Sequence, residues 1–212
     1  MINVCVFASG RGSNFQALLE QIDLGAVDAR IVLVISNKSA AGALEIARSH
    51  NIAAMHLSDV HFPSEEEYVQ RLMALLKEYQ VQLIVLAGYL KKVPVAVIRR
   101  FQNRILNIHP ALLPSFGGKG LYGHFVHEAV LEYGCKLSGA TVHLVDAEYD
   151  TGAPILQKCV PVLEDDTPET LAARVLEIEH QILPEAVQLF ACNRVVIRGR
   201  RAFILPEKDK DI

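Results

Sequence analysis

The chain has 212 residues, of which 51% are hydrophobic and 21% charged, and 21 Lys and Arg set against 24 Asp and Glu give a net charge of −3. That composition excludes a disordered or collagen-like chain, and a chain this long buries about 70% of the surface its unfolded form exposes, so neither disulfides nor metal are needed to hold the fold. The mild acidity excludes broad electrostatic capture of nucleic acid or of an anionic membrane, so any anionic ligand requires a local site.

The chain opens on a short apolar run, Ile2–Ala8, broken by Gly10-Arg11-Gly12-Ser13. Phe15, Leu18, Leu19 and Ile22 then recur at helical spacing from Ser13. Arg30–Ile35 reads as a buried strand, Ala41–His50 as a helix and Ala53–Leu57 as a short strand. Ser64 before Glu65, Glu66 and Glu67 is a helix cap with three acids where the macrodipole favours them, and this helix runs to about Tyr79 on Tyr68, Leu72, Leu75 and Leu76. Gln82–Ala87 and Arg104–Ile108 are strands flanking a helix over Pro94–Phe101. Pro114–Gly123, with glycines at 117, 118, 120 and 123, reads as a long loop, and a helix over His124–Tyr133 follows it.

Ala140–Val145 and Ile155–Val162 are β-runs too close in sequence for a helical crossover, so they pair antiparallel. Thr167 starts a long helix to about Ala191 that Pro184 bends. Val195–Ile197 and Arg201–Leu205 flank a turn at Arg198-Gly199-Arg200, and Lys208–Ile212 frays. The pattern predicts one α/β domain over 1–212: a nucleotide-binding-like parallel sheet with helices on both faces, extended by antiparallel strands towards the C-terminus. Residues 1–110 form one half, 111–192 the other, and 193–212 a hairpin and tail. Cys5, Cys135, Cys159 and Cys192 form no CxxC pair and read as reduced thiols, mostly buried, in a cytoplasmic protein. The N-terminus lacks the pattern of a signal peptide, and no apolar run approaches the ~18 residues of a membrane-spanning helix.

Ser9-Gly10-Arg11-Gly12-Ser13-Asn14 joins the first strand to the first helix. Two readings stand: a tight turn capped by Ser13 or Asn14, or a helix N-terminus whose free N–H groups take an anion. Dinucleotide binding is disfavoured, because Phe15 occupies the place of the third glycine and Ser36-Asn37-Lys38 offers no ribose-binding acid. A P-loop is disfavoured too, since the Gly-Lys pair, Gly118-Lys119, is followed by glycine. Asn107 and His109 share one side of a strand that Pro110 ends, where open α/β sheets bind ligands. Together they suit a developing oxyanion, and the plainer reading is a structural Asn and a satisfied buried His. Asp150-Thr151-Gly152 does not mark an aspartic protease, which needs two such loops in a nearly all-β chain. His124, His127 and Glu128 lack a further ligand at metal spacing and read as a surface group.

The ordered set resembles the folate-dependent glycinamide ribonucleotide (phosphoribosylglycinamide) formyltransferases of purine synthesis. Gly10–Ala17 resembles their phosphate loop, Leu86-Ala87-Gly88-Tyr89-Leu90 their folate-side strand end, and Asn107-Ile108-His109-Pro110-Ala111-Leu112-Leu113-Pro114 their signature. Thr141-Val142-His143, Asp150-Thr151-Gly152, Ile155-Leu156-Gln157 and Glu179-His180 follow in the expected order, so the likeness covers about residues 1–190. It implies transfer of the formyl group of 10-formyltetrahydrofolate to the amine of the ribonucleotide, without metal. Asn107, His109 and Asp150 would be catalytic, with Asp150 raising the His109 pKa so that cationic His109 and the Asn107 N–H stabilise the formyl oxygen. Gly12, Ser13, Asn14 and Glu179 would hold the ribonucleotide. Leu90, Lys91, Lys92 and Val93, with Asp146, Ala147, Glu148, Tyr149, Asp150 and Asn107, would line the folate pocket.

Three positions depart from the family pattern. Glu65 stands where relatives often carry an arginine for the folate's glutamate tail, Lys91-Lys92 replaces Arg-Ile, and Leu176 takes a position that is basic in some relatives. The Gly117–Phe125 loop is longer than in compact members and either closes over substrate or is a passive excursion. The other enzyme reading is a 10-formyltetrahydrofolate hydrolase, which carries a regulatory domain ahead of this fold. A non-catalytic phosphate- or folate-sensing module is the reading outside enzymes. The expected partners are small molecules, with no nucleic acid or membrane, for a cytoplasmic monomer or homodimer.

Overall fold

The computed structural model describes residues 1–207. Among these residues nine strands and six α-helices follow one another as β1 (Ile2–Phe7), α1 (Ser13–Asp23), β2 (Ala29–Ser36), α2 (Gly42–Ser49), β3 (Ala53–His56), α3 (Glu65–Glu78), β4 (Leu83–Leu86), α4 (Val95–Arg100), β5 (Ile105–His109), α5 (His124–Glu132), β6 (Leu137–Leu144), β7 (Pro154–Pro161), α6 (Pro168–Ala191), β8 (Val195–Arg198) and β9 (Arg201–Ile204), with a 3-10 turn at Asp59–His61. β1 to β7 form one sheet in the order β3-β2-β1-β4-β5-β6-β7, and β8 pairs with β9 separately. The first five strands are parallel; β6 runs antiparallel to both β5 and β7. This is the α/β class and strand mixture read from the sequence.

Two cores sit on opposite faces of the sheet. One gathers Phe15 and Leu18 of α1, Leu44 of α2, Val126 and Val130 of α5 and the apolar row of α6; the other gathers Tyr68, Leu72, Leu75 and Leu76 of α3 with Val97 of α4. Each fully buried Leu among these contributes about 2 kcal/mol. Ser64 caps α3 by accepting from the Glu67 N–H at 3.2 Å, and Thr167 caps α6 in a reciprocal box with Thr170. α6 continues through Pro184 as a single 24-residue helix.

Two expectations need correction. Only Cys5 is buried; Cys135 is half-buried, and Cys159 and Cys192 are exposed, because the latter two fall on an outward strand position and a helix end. His124 and His127 do not form a surface pair: His124 is exposed, while His127, three residues on, turns inward between Val126 and Val130 of the buried α5 face. The expected fraying over Lys208–Ile212 lies outside the described residues.

The sheet order places a switch point between β1 and β4, where successive crossovers leave in opposite directions. Ser9 bridges this crevice. Its N–H donates to the Gly88 carbonyl (3.0 Å), its hydroxyl donates to Asn37 Oδ1, and its Oγ accepts from the Leu90 N–H (2.9 Å). One serine thus ties the turn after β1 to the turns after β2 and β4.

Candidate active site

The catalytic candidates meet because of strand register. Asn107 of β5 lies opposite His143 of β6, and Asn107 Nδ2 donates to His143 Nε2 at 3.0 Å. A carbonyl only accepts, so the 2.8 Å contact of His143 Nδ1 with the Leu144 carbonyl puts the ring proton on Nδ1 and leaves Nε2 to receive Asn107. Asp150 enters from the β6–β7 loop in a left-handed conformation (φ 56°). Its Oδ1 lies 3.5 Å from His143 Nε2 and its Oδ2 3.8 Å from His109 Nδ1. Gly152 two residues on is packed so closely under the Leu144 carbonyl that no side chain fits there, which fixes the path of this loop.

Strand β6 also holds the turn after β5. Thr141 donates to the Ala111 carbonyl (2.6 Å) and accepts from the Leu113 N–H (3.1 Å), while Gln157 donates to the Leu113 carbonyl (2.9 Å). Buried groups that would each cost about 1–3 kcal/mol unpaired are satisfied in this way. The segment Ala111–Leu113 is thereby fixed behind His109.

Burial pushes the His109 pKa down, and neighbouring His143 adds to this; Asp150 and the hydrogen bond to the Phe116 carbonyl pull it up without overcoming burial. The expected rise of the His109 pKa is therefore corrected. Asp150 acts in the expected direction, but desolvation of a ring only 4% exposed outweighs it. Burial opposes the charge on Asp150, yet the hydrogen bond from the Gly118 N–H, with His143 and His109 nearby, holds its carboxyl below the usual range. Asp150 is a carboxylate at neutral pH beside a largely neutral His109.

These four side chains line a cleft of about 590 Å³, walled by Leu86, Val93, Ile108 and Val145. An apolar cleft of this size with a few convergent polar groups is the ordinary form of a small-molecule site. Leu90, Lys91, Lys92, Asp146, Glu148 and Tyr149 line it, together with Gly118 to Gly123 of the glycine-rich loop. Ala147 is not among the lining residues. The loop over Asp146–Asp150 is braced by Asp146 Oδ1, which accepts from the Glu148 N–H (3.1 Å) and the Thr151 hydroxyl (2.6 Å). Lys91 is paired with Asp59 at 3.2 Å, and Lys92 lies 4.0 Å from Glu148 and over the Tyr149 ring. Glu65 is exposed at the start of α3, away from the cleft lining.

The second group of candidates lies beyond β1. Gly12, not Ser13 or Asn14, caps α1, with a left-handed backbone (φ 88°) and no side-chain cap bond. A Cβ at Gly12 would come within 2.9 Å of both Ala43 Cα and Cβ, so helix packing alone demands glycine. Asn14 is thereby free to turn inward, where its Nδ2 donates to Glu179 Oε2 at 2.5 Å. Glu179 is almost fully buried, and burial raises its carboxyl to about 7 against the lowering effect of Asn14. Asn14 Oδ1 is buried without a hydrogen-bond partner among the described residues.

Sequence reasoning missed His143 and Ser9 as site residues. Alternation along β6 was a usable signal for His143, since it places Thr141 and His143 on one side of the strand facing the Asn107–His109 strand. Nothing local marks Ser9, because its partners lie 28 and 81 residues away.

Residues 2–187 match the formyl transferase family, and the chain belongs to it. Among curated relatives it is similar to a chloroplastic phosphoribosylglycinamide formyltransferase of Arabidopsis thaliana (46% identity over 91% of this chain) and to the phosphoribosylglycinamide formyltransferase of Bacillus subtilis (34% identity over 95% of this chain and 100% of the relative). The chain spans 66% of the length of the plant relative. Among solved structures, glycinamide ribonucleotide transformylase 1 from Symbiobacterium toebii superimposes with a TM-score of 0.91 at 44% identity, over 97% of this chain and 95% of that one. No helix among the described residues is long and apolar enough to cross a membrane.

Proposed function

We propose that this chain transfers the formyl group of 10-formyltetrahydrofolate to the glycinamide amine of 5'-phosphoribosylglycinamide, giving the N-formyl ribonucleotide and tetrahydrofolate. The observation that carries this reading is the meeting of Asn107, His109 and Asp150, from separate stretches of chain, on one apolar cleft. The cleft has the size and lining for the pteridine end of the donor, between Leu90–Val93 on one side and Asp146–Asp150 on the other. Gly12, Ser13, Asn14 and Glu179 hold the ribonucleotide: free N–H groups of the α1 N-terminus suit its phosphate, and the unpartnered Asn14 Oδ1 suits a hydroxyl of its ribose. The reading makes the chain a cytoplasmic monomer or homodimer acting on small molecules.

As the amine nitrogen bonds to the formyl carbon, negative charge grows on the formyl oxygen and positive charge on nitrogen. Asn107 donates a hydrogen bond to that oxygen. His109, largely neutral at pH 7, takes the amine proton, and Asp150 stabilises the imidazolium so formed. The proton then goes to the folate nitrogen as its bond to the formyl carbon breaks, which returns His109 to its starting state. Holding both reactants in one cleft supplies much of the advantage through orientation.

The test is an assay of the purified protein for loss of the formyl donor with and without the ribonucleotide. Loss only in its presence, with formation of the N-formyl product, is expected. Equal loss in its absence assigns the chain to the hydrolase reading, and binding of either compound without turnover assigns it to the sensing module.

A further inference from the structure

The segment Phe116-Gly117-Gly118 touches both members of the catalytic pair through its backbone. The Phe116 carbonyl lies 2.8 Å from His109 Nε2, and the Gly118 N–H donates to Asp150 Oδ2 at 2.8 Å. A carbonyl has no proton to give, so His109 Nε2 carries the hydrogen and Nδ1 is left with its lone pair. That same Nδ1 is the nitrogen facing Asp150 Oδ2, at 3.8 Å. Between the two contacts, Gly117 has no room for a side chain: a Cβ there would lie 2.5 Å from Leu113 Cδ2 and 3.2 Å from Asp150 Cβ. Phe116 itself sits in the left-handed region (φ 53°), an uncommon conformation for a residue with a side chain, and Gly118 has a φ of 102°. The ring of Phe116 packs edge-on against Tyr133 at the end of α5.

We propose that Phe116, Gly117 and Gly118 are positioning residues that lock the His109 tautomer and the Asp150 carboxylate together, so that Nδ1 is the nitrogen through which His109 exchanges its proton. The lock deepens the catalytic role proposed above for His109 and Asp150 and rests on that reading. Its consequence is a division of labour on one ring. Nε2 keeps its hydrogen throughout, bonded to the loop, while Nδ1 gains a proton as the amine loses one and surrenders it to the leaving nitrogen. The proton arrives on the side of the ring where the carboxylate waits. The ionisable groups around the ring are Asp150, His143 of β6 and His127 of α5, and of these Asp150 alone is negative.

The test is nitrogen NMR of the histidine side chains in the intact protein at pH 7.5, with His109 assigned by the signals lost in His109→Asn. The expected spectrum has His109 as the Nε2–H tautomer, its ring N–H proton exchanging slowly with water. An Nδ1–H tautomer, or an Nε2–H proton exchanging as fast as that of free imidazole, overturns the proposal. Gly117→Ala should unlock the ring: its N–H proton exchanges faster, kcat falls about 100-fold, and KM for either substrate moves less than about threefold. Wild-type kcat and exchange in a folded Gly117→Ala overturn it. Phe116→Gly keeps the carbonyl and the backbone conformation, so the tautomer must survive, and its loss there also overturns the lock. The NMR readout needs no substrate, so absence of formyl transfer with a locked His109 would refute the function while leaving the lock standing.

Discussion

The two halves of the site are built in different ways. The ribonucleotide side rests on the first βα turn and on one buried pair, Asn14 with Glu179, which lies in the helical core between α1 and α6. The formyl side rests on loops that reach over the sheet edge where it turns antiparallel, and its polar groups are held by register and by loop backbone. The first half gains rigidity from packing, so its residues do double duty: Gly12 is required by Ala43 before it meets any phosphate. The second half gains precision from hydrogen bonds to single atoms. Damage to the first should therefore appear in binding and stability, and damage to the second in turnover.

The largest effect expected falls on the formyl side. Asp150→Asn keeps the shape of the residue but removes the charge that stabilises protonated His109, and kcat should fall about 10³-fold with KM for the ribonucleotide nearly unchanged. A parallel rise in that KM would erase the contrast between the halves. Asn107→Ala comes next. It removes the donor to the formyl oxygen and strips His143 Nε2 of its partner, and steady-state kinetics should show kcat lowered about 10²-fold. A loss smaller than tenfold would move the oxyanion contact to another group.

How far each half could be read from the sequence follows from the same difference. Continuous β-branched runs and helical spacing announce the parallel sheet, and the Asn107-x-His109 alternation ending at Pro110 announces a strand end rich in polar groups. Glu179 announces itself as the charged member of an i, i+4 row formed with Leu171, Val175, Leu183 and Val187, all buried in α6. The lowered pKa of His109 was not legible, because it depends on how completely Phe116, β6 and the loops enclose the ring. Nor was the inward turn of His127, whose spacing with His124 fits a surface pair as well as it fits a helix straddling the core boundary. Loop contacts such as Gly118 with Asp150 join residues 32 apart through backbone atoms, and no side-chain pattern encodes them.

On the ribonucleotide side the measurable signature is pH-dependent stability. The Glu179 carboxyl is raised from 4.5 in the unfolded chain to about 7 in the fold. Between those values the folded state binds more protons than the unfolded one, so stability falls as pH rises, the favourable contribution being complete below 4.5 and lost past 7. Glu179→Gln keeps an acceptor for Asn14 and abolishes the titration. Denaturant unfolding should show the variant gaining about 2 kcal/mol on the wild type between pH 5 and pH 8. An unchanged difference across that range would mean that Glu179 is already charged in the fold. Ribonucleotide KM should rise in the same variant while kcat changes less, the reverse of the pattern at Asp150.

The smallest effect separates the two halves most finely. Arg200, in the turn of the β8–β9 hairpin, donates to the Thr151 carbonyl at 3.0 Å, one residue beyond Asp150, from an exposed position. A single exposed hydrogen bond contributes at most about 1 kcal/mol. Arg200→Ala should therefore raise KM for the formyl donor by no more than about fivefold, by loosening the Asp146–Asp150 loop, and leave KM for the ribonucleotide untouched. The loop's internal bracing by Asp146 keeps the effect small, since two of its contacts survive the change. Equal shifts in both KM values would show that the hairpin steadies the whole molecule, whereas a shift confined to the donor places its action on the antiparallel side alone.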